Sequence, residues 1–384
     1  MIHTATDTTI SLITCYPGSD IYELEGHSAL RVSISDGRDY AINYGLFDFS
    51  SPNFVYRFVK GETDYRCGAI PTASFLRHYS EDGRKVVEQR LNLTPAQKAR
   101  AIDLIATDLL PENATYRYNY VKDNCATRPL SVIEKAIVSP INFNSVHNET
   151  TTFRDQMRVF HANYPWYQFG IDLALGSGID YNISQRETAF APVTLSRLIE
   201  NATYTDEAGQ EIPLVANTTV LAEGYRQGAT LPPTPYWQTP MAFALAVLAL
   251  TVFASVKQIR GKNIVPKITD TLVFGMQGMA GLLLTFLIFI SVHEATSPNF
   301  LYVWLNPLAF AGCMLVWLKS CKKALLCYHF INFALLAALA TGWWLIPQSG
   351  NTAFIPLITA SALRSACQIY TSIYSRRHKS SQQK

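Results

Sequence analysis

Beyond Pro240 the sequence runs through five apolar stretches, at 241–256, 271–291, 299–318, 324–346 and 352–370. Each approaches the ~20 residues that an α-helix needs to cross the hydrocarbon core of a bilayer. Backbone exposed to lipid must satisfy its own hydrogen bonds, so such stretches fold as helices or closed barrels. The pattern predicts an all-α five-helix transmembrane domain over residues 236–375, followed by a basic cytoplasmic tail at 376–384.

Loop charge sets the orientation. "KQIRGKNIVPK" after the first stretch, "KSCKK" after the third and "SRRHKSSQQK" after the fifth are basic, whereas "VHEATSPN" and "PQSGN" carry no Lys or Arg. Basic loops stay on the cytoplasmic side, which puts the C-terminus in the cytoplasm and the N-terminal part across the membrane. Trp237, Trp304, Trp343 and Trp344 fall near the outer boundary, as an aromatic belt does. The formal net charge of +3 is topological rather than a basic patch, which argues against nucleic acid as a partner. Arg364, inside the last stretch, either faces a cavity or, as is commoner, snorkels toward the cytoplasmic face. The first residues, "MIHTATDTTISLITC", lack the basic start and apolar run of a secretory signal, so the chain reads as a form whose signal has been removed or, as the weaker alternative, as one with an internal start that works without a signal.

Residues 1–235 are of another kind, with mixed charge, turns and short alternating runs long enough to bury a full core. "TTISLITC" reads as a strand ending at a Pro-Gly turn, and "HSALRVSISDGRDYAINYGLF" as two strands around Asp36-Gly37. "SPNFVYRFVKG" predicts a short helix capped by Ser51 with Pro52 at its first position. "LTPAQKARAIDLIATDLL" is an amphipathic helix opened by Thr94 and Pro95. Further helices are expected from about Cys125 and over "TLSRLIENATY". The outer domain is therefore α+β, an antiparallel sheet with packed helices.

This part holds three of the seven cysteines: Cys15, Cys67 and Cys125. In an oxidising compartment an odd cysteine is a free thiol or awaits a partner, and the simplest partition pairs Cys15 with Cys67. Cys125, in "NYVKDNCATRPL", falls at the expected start of a helix, where free amides and the macrodipole lower a thiol pKa. His27, in "ELEGHSALRV", follows a glycine and opens a strand, a position that can aim a ring into a cleft; His3, His78, His147 and His161 have less defined settings. A cysteine or histidine in such a place is more often a packing residue than a catalyst, and these two alone leave both readings open. There is no Walker loop, dinucleotide fingerprint or metal-type His/Cys spacing.

Taken together, "ISLITCYPGSDIYELEGHSALRV", "YAINYGLFDFSSPNFVYRFVKGETDY", "RYNYVKDNCATRPL", "PWYQFGIDLALG" and "HEATSPNFLYVWLNPL" resemble the Lnb-type lipoprotein N-acyltransferases of bacterial inner membranes. The outer domain is also similar to circularly permuted NlpC-type papain-like folds, including lecithin:retinol acyltransferase. There a histidine strand precedes a helix opened by an Asn-Cys pair. The resemblance implies a permuted papain-like α+β domain on the periplasmic side, with Cys125 as nucleophile, His27 as general base and the backbone at Asn124 and Cys125 as oxyanion donors. A third group should orient the imidazole: Asn43 in the following strand, or else Tyr44 or Asp48, since strand register decides.

The implied reaction moves a fatty acyl chain from a membrane phospholipid, through a Cys125 thioester, to the α-amine of a diacylated lipoprotein or lipopeptide. No metal or organic cofactor is implied, and the bilayer itself is a partner. His293 and Glu294, in the outer loop after the second stretch, and Arg128, just beyond Cys125, are candidates for binding head groups or phosphate. Two other classes compete: a membrane-anchored NlpC-type cysteine hydrolase or peptidase, and a non-enzymatic envelope assembly protein.

Overall fold

The computed structural model describes residues 7–48, 50–144, 150–225, 232–262 and 264–381, with backbone alone over 375–381. The chain divides into two units. Residues up to Asn163 and Asn182–Pro233 form the first, and Tyr164–Tyr181 with the chain from Thr234 onward forms the second. The sequence boundary at 235 thus misses a detail: the segment holding "PWYQFGIDLALG" groups with the helical unit.

The alternating runs of the first unit pair into strands as expected. In chain order the unit comprises β1 (Thr8–Cys15), β2 (His27–Ile34), β3 (Asp39–Leu46), α1 (Phe54–Lys60), β4 (Asp64–Pro71), α2 (Thr72–Glu81), β5 (Val86–Leu91) and α3 (Pro95–Asp108). Then come α4 (Pro111–Ala114), β6 (Thr115–Arg117), α5 (Thr127–Ile137), β7 (Ile141–Asn142) and α6 (Phe153–Phe160). It closes with α8 (Gln185–Thr188), α9 (Pro192–Glu200), β8 (Thr203–Thr205), β9 (Glu211–Pro213) and β10 (Val215–Ala222). Seven strands make an antiparallel sheet in the order β10-β5-β1-β2-β3-β4-β6, and β7-β8-β9 make a small second one.

Side chains alternate across a strand, so each face of the main sheet builds its own core. Ile10, Leu12, Leu30, Ile42 and Tyr44 pack with Ile105 of α3, Leu130 and Ile133 of α5 and Leu195 of α9. Ile13, Cys15, Ala29 and Ala41 pack with Phe75 of α2 on the other face. At the start of α3 the reciprocal bonds between Thr94 and Gln97 form the cap that the sequence suggests. Helix α1 starts differently: Asn53, at φ 55°, occupies the cap position without a side-chain bond, and Ser51 does not cap.

The two cysteines expected to pair cannot. Cys15 belongs to the α2 face and Cys67 to the α3/α5 face, and both thiols are free. Strand parity, which no count of cysteines conveys, separates them across the sheet.

The second unit comprises α7 (Pro165–Ala174), α10 (Pro240–Ile259), α11 (Ile264–Phe289), α12 (Ala309–Leu315), α13 (Lys322–Gly342) and α14 (Phe354–Ser381). Among the described residues, three helical segments are long and apolar enough to cross a membrane: Pro240–Ile259, Ile264–Phe289 and Lys319–Leu345. The third apolar stretch is not one helix. It folds as a short 3-10 turn at Phe300–Val303 and then the seven-residue α12. Pro307 has no N–H to continue a helix, and the Asn306 side chain bonds back to Tyr302 and Val303.

Arg364 does not snorkel. It is fully buried and bidentate to Asp270 of α11, at 2.6 and 3.0 Å, with further bonds to Ser255 and Gln258 of α10. A guanidinium in an apolar helical core requires such a partner set. Trp304 also leaves the proposed belt: it is 5% exposed and packs on Phe354, whereas Trp237 and Trp344 are exposed.

Candidate active site

The site grows from the N-terminal end of β2. Gly26 turns the chain into the strand at φ +86°, and a Cβ there would come within 2.5 Å of the Cys15 carbonyl oxygen. His27 follows, paired with Cys15, and its ring stacks on Tyr79 of α2 at 6.1 Å between centroids. Its Nε2 lies 3.0 Å from Asn43 Oδ1. The amide orientation of Asn43 follows from its second bond, Nδ2 donating to the Ala41 carbonyl. With Oδ1 as the acceptor, Nε2 carries the ring proton and Nδ1 keeps its lone pair.

Register decides among the three candidates for orienting the ring. Asn43 pairs with Ala29 and shares the face of His27. Tyr44 points to the opposite core, where its hydroxyl donates to Asp108. Asp48 is exposed and accepts from Ser50.

Cys125 enters where β2 and β3 part. Their ladder ends at the Ala29–Asn43 pair, and Gly45 then turns away at φ +88°. A side chain on Gly45 would sit 3.6 Å from the Cys125 Cβ and 3.4 Å from the Tyr118 ring, so glycine makes the close approach possible. Ser28 holds the newcomer: its hydroxyl donates to the Cys125 carbonyl at 2.7 Å. Cys15 and Tyr79, both neighbours of His27, lie close enough to Cys125 to sense its charge. Among the described residues, no hydrogen bond joins the His27 ring to the thiol; such contacts are often long in a site without substrate.

The local setting of the thiol differs from the expected helix start. Helix α5 begins at Thr127, two residues later, and Asn124 shapes the approach. Its Oδ1 accepts from the Ala126 and Thr127 amides, and its own N–H donates to the Thr127 hydroxyl. The Asn124 N–H and side chain are thus engaged within the loop itself. Burial pushes the thiol up to about 11, against the Ser28 N–H and the Tyr118 hydroxyl, and the Glu25 carboxylate adds to the rise. Burial also pushes His27 down to about 4, with the Asn43 bond opposing and Arg84 and His78 adding. Thiol and imidazole are therefore both neutral at pH 7, contrary to the lowered thiol pKa that the helix-start argument suggests.

A second cluster stands behind the thiol and was invisible in the sequence. Tyr120 donates a short hydrogen bond to Glu25 Oε1, and His161 Nε2 lies 2.8 Å from the same oxygen. Glu25 and His161 are both buried. Asn124 ties this cluster to the thiol loop through its Nδ2 bond to the Tyr120 carbonyl. Glu25 stands two residues before His27, but His161 arrives from the end of α6, with no local signal to mark it. His78 is exposed on α2, and His3 and His147 lie outside the described residues.

The binding candidates fare unequally. Arg128 is bidentate to Asp123, at 2.6 and 2.9 Å, and its guanidinium lies 3.3 Å from the Tyr116 ring centroid. It braces the thiol loop through these contacts. His293 and Glu294 belong to the other unit, at the turn after α11, where Gly178 packs against the Glu294 carbonyl.

An α+β domain with a half-buried cysteine beside a histidine strand, in one chain with long apolar helices, defines a membrane protein with a large domain outside the bilayer. Residues 3–159 match the family model of the Lnb N-terminal periplasmic domain, and residues 234–376 that of the Lnb transmembrane domain. The chain belongs to the Lnb family and is a lipoprotein N-acyltransferase-like protein of the inner membrane, with a periplasmic N-terminal domain. Neither the curated proteins nor the solved structures contain a match to it.

Proposed function

We propose that the protein transfers a fatty acyl chain from a phospholipid to the N-terminal amine of a diacylated lipoprotein, with Cys125 as the covalent carrier. One observation carries the reading: in a chain of this family, Ser28, the residue after a histidine whose Nε2 is held by Asn43, donates its hydroxyl to the Cys125 carbonyl. A neutral thiol beside a neutral imidazole favours general-base activation over a standing ion pair.

In the first half-reaction His27 Nδ1 takes the thiol proton as sulfur attacks the ester carbonyl. The C–S bond forms, the C–O bond breaks, and the proton passes to the departing lysophospholipid oxygen. The backbone N–H groups of Cys125 and of Ser28, which bonds to it, are the donors for the oxyanion. In the second half-reaction the lipoprotein amine attacks the thioester and His27 accepts its proton. The C–N bond forms, the C–S bond breaks, and the proton returns to Cys125.

Intact-mass analysis after exposure to phospholipid vesicles without acceptor tests this. The expected result is an added acyl mass that hydroxylamine removes and that Cys125→Ala lacks. Transfer of the chain to a diacylated lipopeptide, rather than to water, then separates acyl transfer from hydrolysis. An unmodified Cys125 under conditions of full turnover overturns the reading.

A further inference from the structure

A line of aromatic rings leads from the Cys125 thiol to an exposed apolar helix. Tyr118, whose ring flanks Gly45 together with the Cys125 side chain, stacks on Tyr65 at 4.2 Å between centroids. Tyr65 meets Phe47 at 5.2 Å, and Phe47 meets Phe54 of α1 at 5.9 Å. Phe54 meets Phe58 at 6.1 Å, and Tyr22 joins Phe47 from the side at 6.4 Å. These residues are scattered from position 22 to 118, and only the fold threads them together.

The outer end of the line is unusual for a water-facing surface. Helix α1, FVYRFVK, has no buried residue: Val55, Tyr56 and Phe58 are 73%, 55% and 49% exposed. Ile21 and Tyr22, on the flank reached through Phe47, are 52% and 56% exposed. Five large apolar side chains presented this way mark an interaction surface rather than a solvated one. The cations of the helix are already neutralised, Arg57 by Asp64 and Lys60 by Glu62. Neither cation of the helix is thus left alone on entering an apolar phase.

We propose that α1 and the Ile21–Tyr22 turn dip into the lipid surface, and that the ring track from Phe58 to Tyr118 takes the acyl chain of the donor. The polarity gradient suits that ligand: phenylalanines toward the outside accept hydrocarbon, and tyrosine hydroxyls near the sulfur accept the ester. Lipid is the favoured occupant because the family match makes this a membrane protein, so the unit works beside a bilayer. The proposal rests on the acyl-transfer reading for what happens at the sulfur, but the lipid contact of α1 does not depend on it.

Two measurements on the full chain in phosphatidylethanolamine/phosphatidylglycerol vesicles test it. A nitroxide attached through Val55→Cys, with the unsubstituted chain labelled in parallel as background, is expected to collide with oxygen more than with a water-soluble nickel chelate. Free access of the chelate overturns the proposal, whether or not the protein is active. In the second measurement, Val55→Ser/Tyr56→Ser/Phe58→Ser is expected to form acyl-Cys125 from vesicle phospholipid roughly tenfold more slowly or worse, which corresponds to ~1.4 kcal/mol. A thermal melt verifies that the serine variant folds, and Tyr56→Leu/Phe58→Leu, which keeps the surface apolar, keeps the vesicle rate. Equal vesicle rates for the serine variant and the parent overturn the track. Absence of any acyl-Cys125 in the parent removes the proposed function but leaves the nitroxide result to decide the lipid contact.

Discussion

Removing the acceptor on His27 tests the proposed catalytic chemistry most directly. Asn43 is 2% exposed, and its Oδ1 is the side-chain partner of His27 Nε2. Asn43→Ala leaves that buried N–H unpaired, a loss of about 1–3 kcal/mol. The bond also favours the tautomer whose Nδ1 can accept the thiol proton, so the same energy appears as a roughly 5- to 150-fold slower thioester formation. The assay is the rate of Cys125 acylation from phospholipid vesicles, read by intact mass, beside a thermal melt to verify folding. Asn43→Asp supplies the informative contrast. It keeps an acceptor but adds negative charge, which raises the His27 pKa from about 4. His27 must be neutral to act as base, so the acid limb of the pH–rate profile moves to higher pH. An unchanged rate in a well-folded Asn43→Ala protein, or an unmoved acid limb in Asn43→Asp, refutes this account of the base.

Three further outcomes follow from the same structure. Glu25→Gln removes a carboxylate that raises the thiol pKa, so the pH at which iodoacetamide captures Cys125 moves down from about 11. Arg364→Met strands the buried Asp270 carboxylate and costs about 3–5 kcal/mol in detergent melts, while adding Asp270→Leu recovers most of the loss. Because Cys15 and Cys67 lie on opposite faces of the sheet as free thiols, a reductant leaves the melting temperature unchanged; a fall of several degrees contradicts that separation.

Patterns that repeat along the chain were legible before any fold was known. The Asp36-Gly37 hairpin, the Thr94 cap of α3, the α+β order and the apolar C-terminal half follow from period, turn chemistry and capping, which act over a few residues. Local rules misjudged Ser51, because the chain entered α1 through Asn53 in a left-handed conformation. They also overread the third apolar stretch, where length alone does not reveal how Asn306-Pro307 interrupts a helix.

The sequence by itself marked Cys125 and His27 through their neighbours and order, and it set the membrane character through unbroken apolar length. Everything requiring two distant segments at one point was decided in three dimensions. The sheet register aimed Asn43 at His27 and Tyr44 away from it, and put Cys15 and Cys67 on different faces. The gap between β2 and β3 brought Cys125 to Ser28, and the end of α6 delivered His161 to Glu25. The physical reason is the range of the forces. Propensity and hydropathy are read residue by residue, whereas burial, pKa and pairing belong to an environment that does not exist until the strands have met.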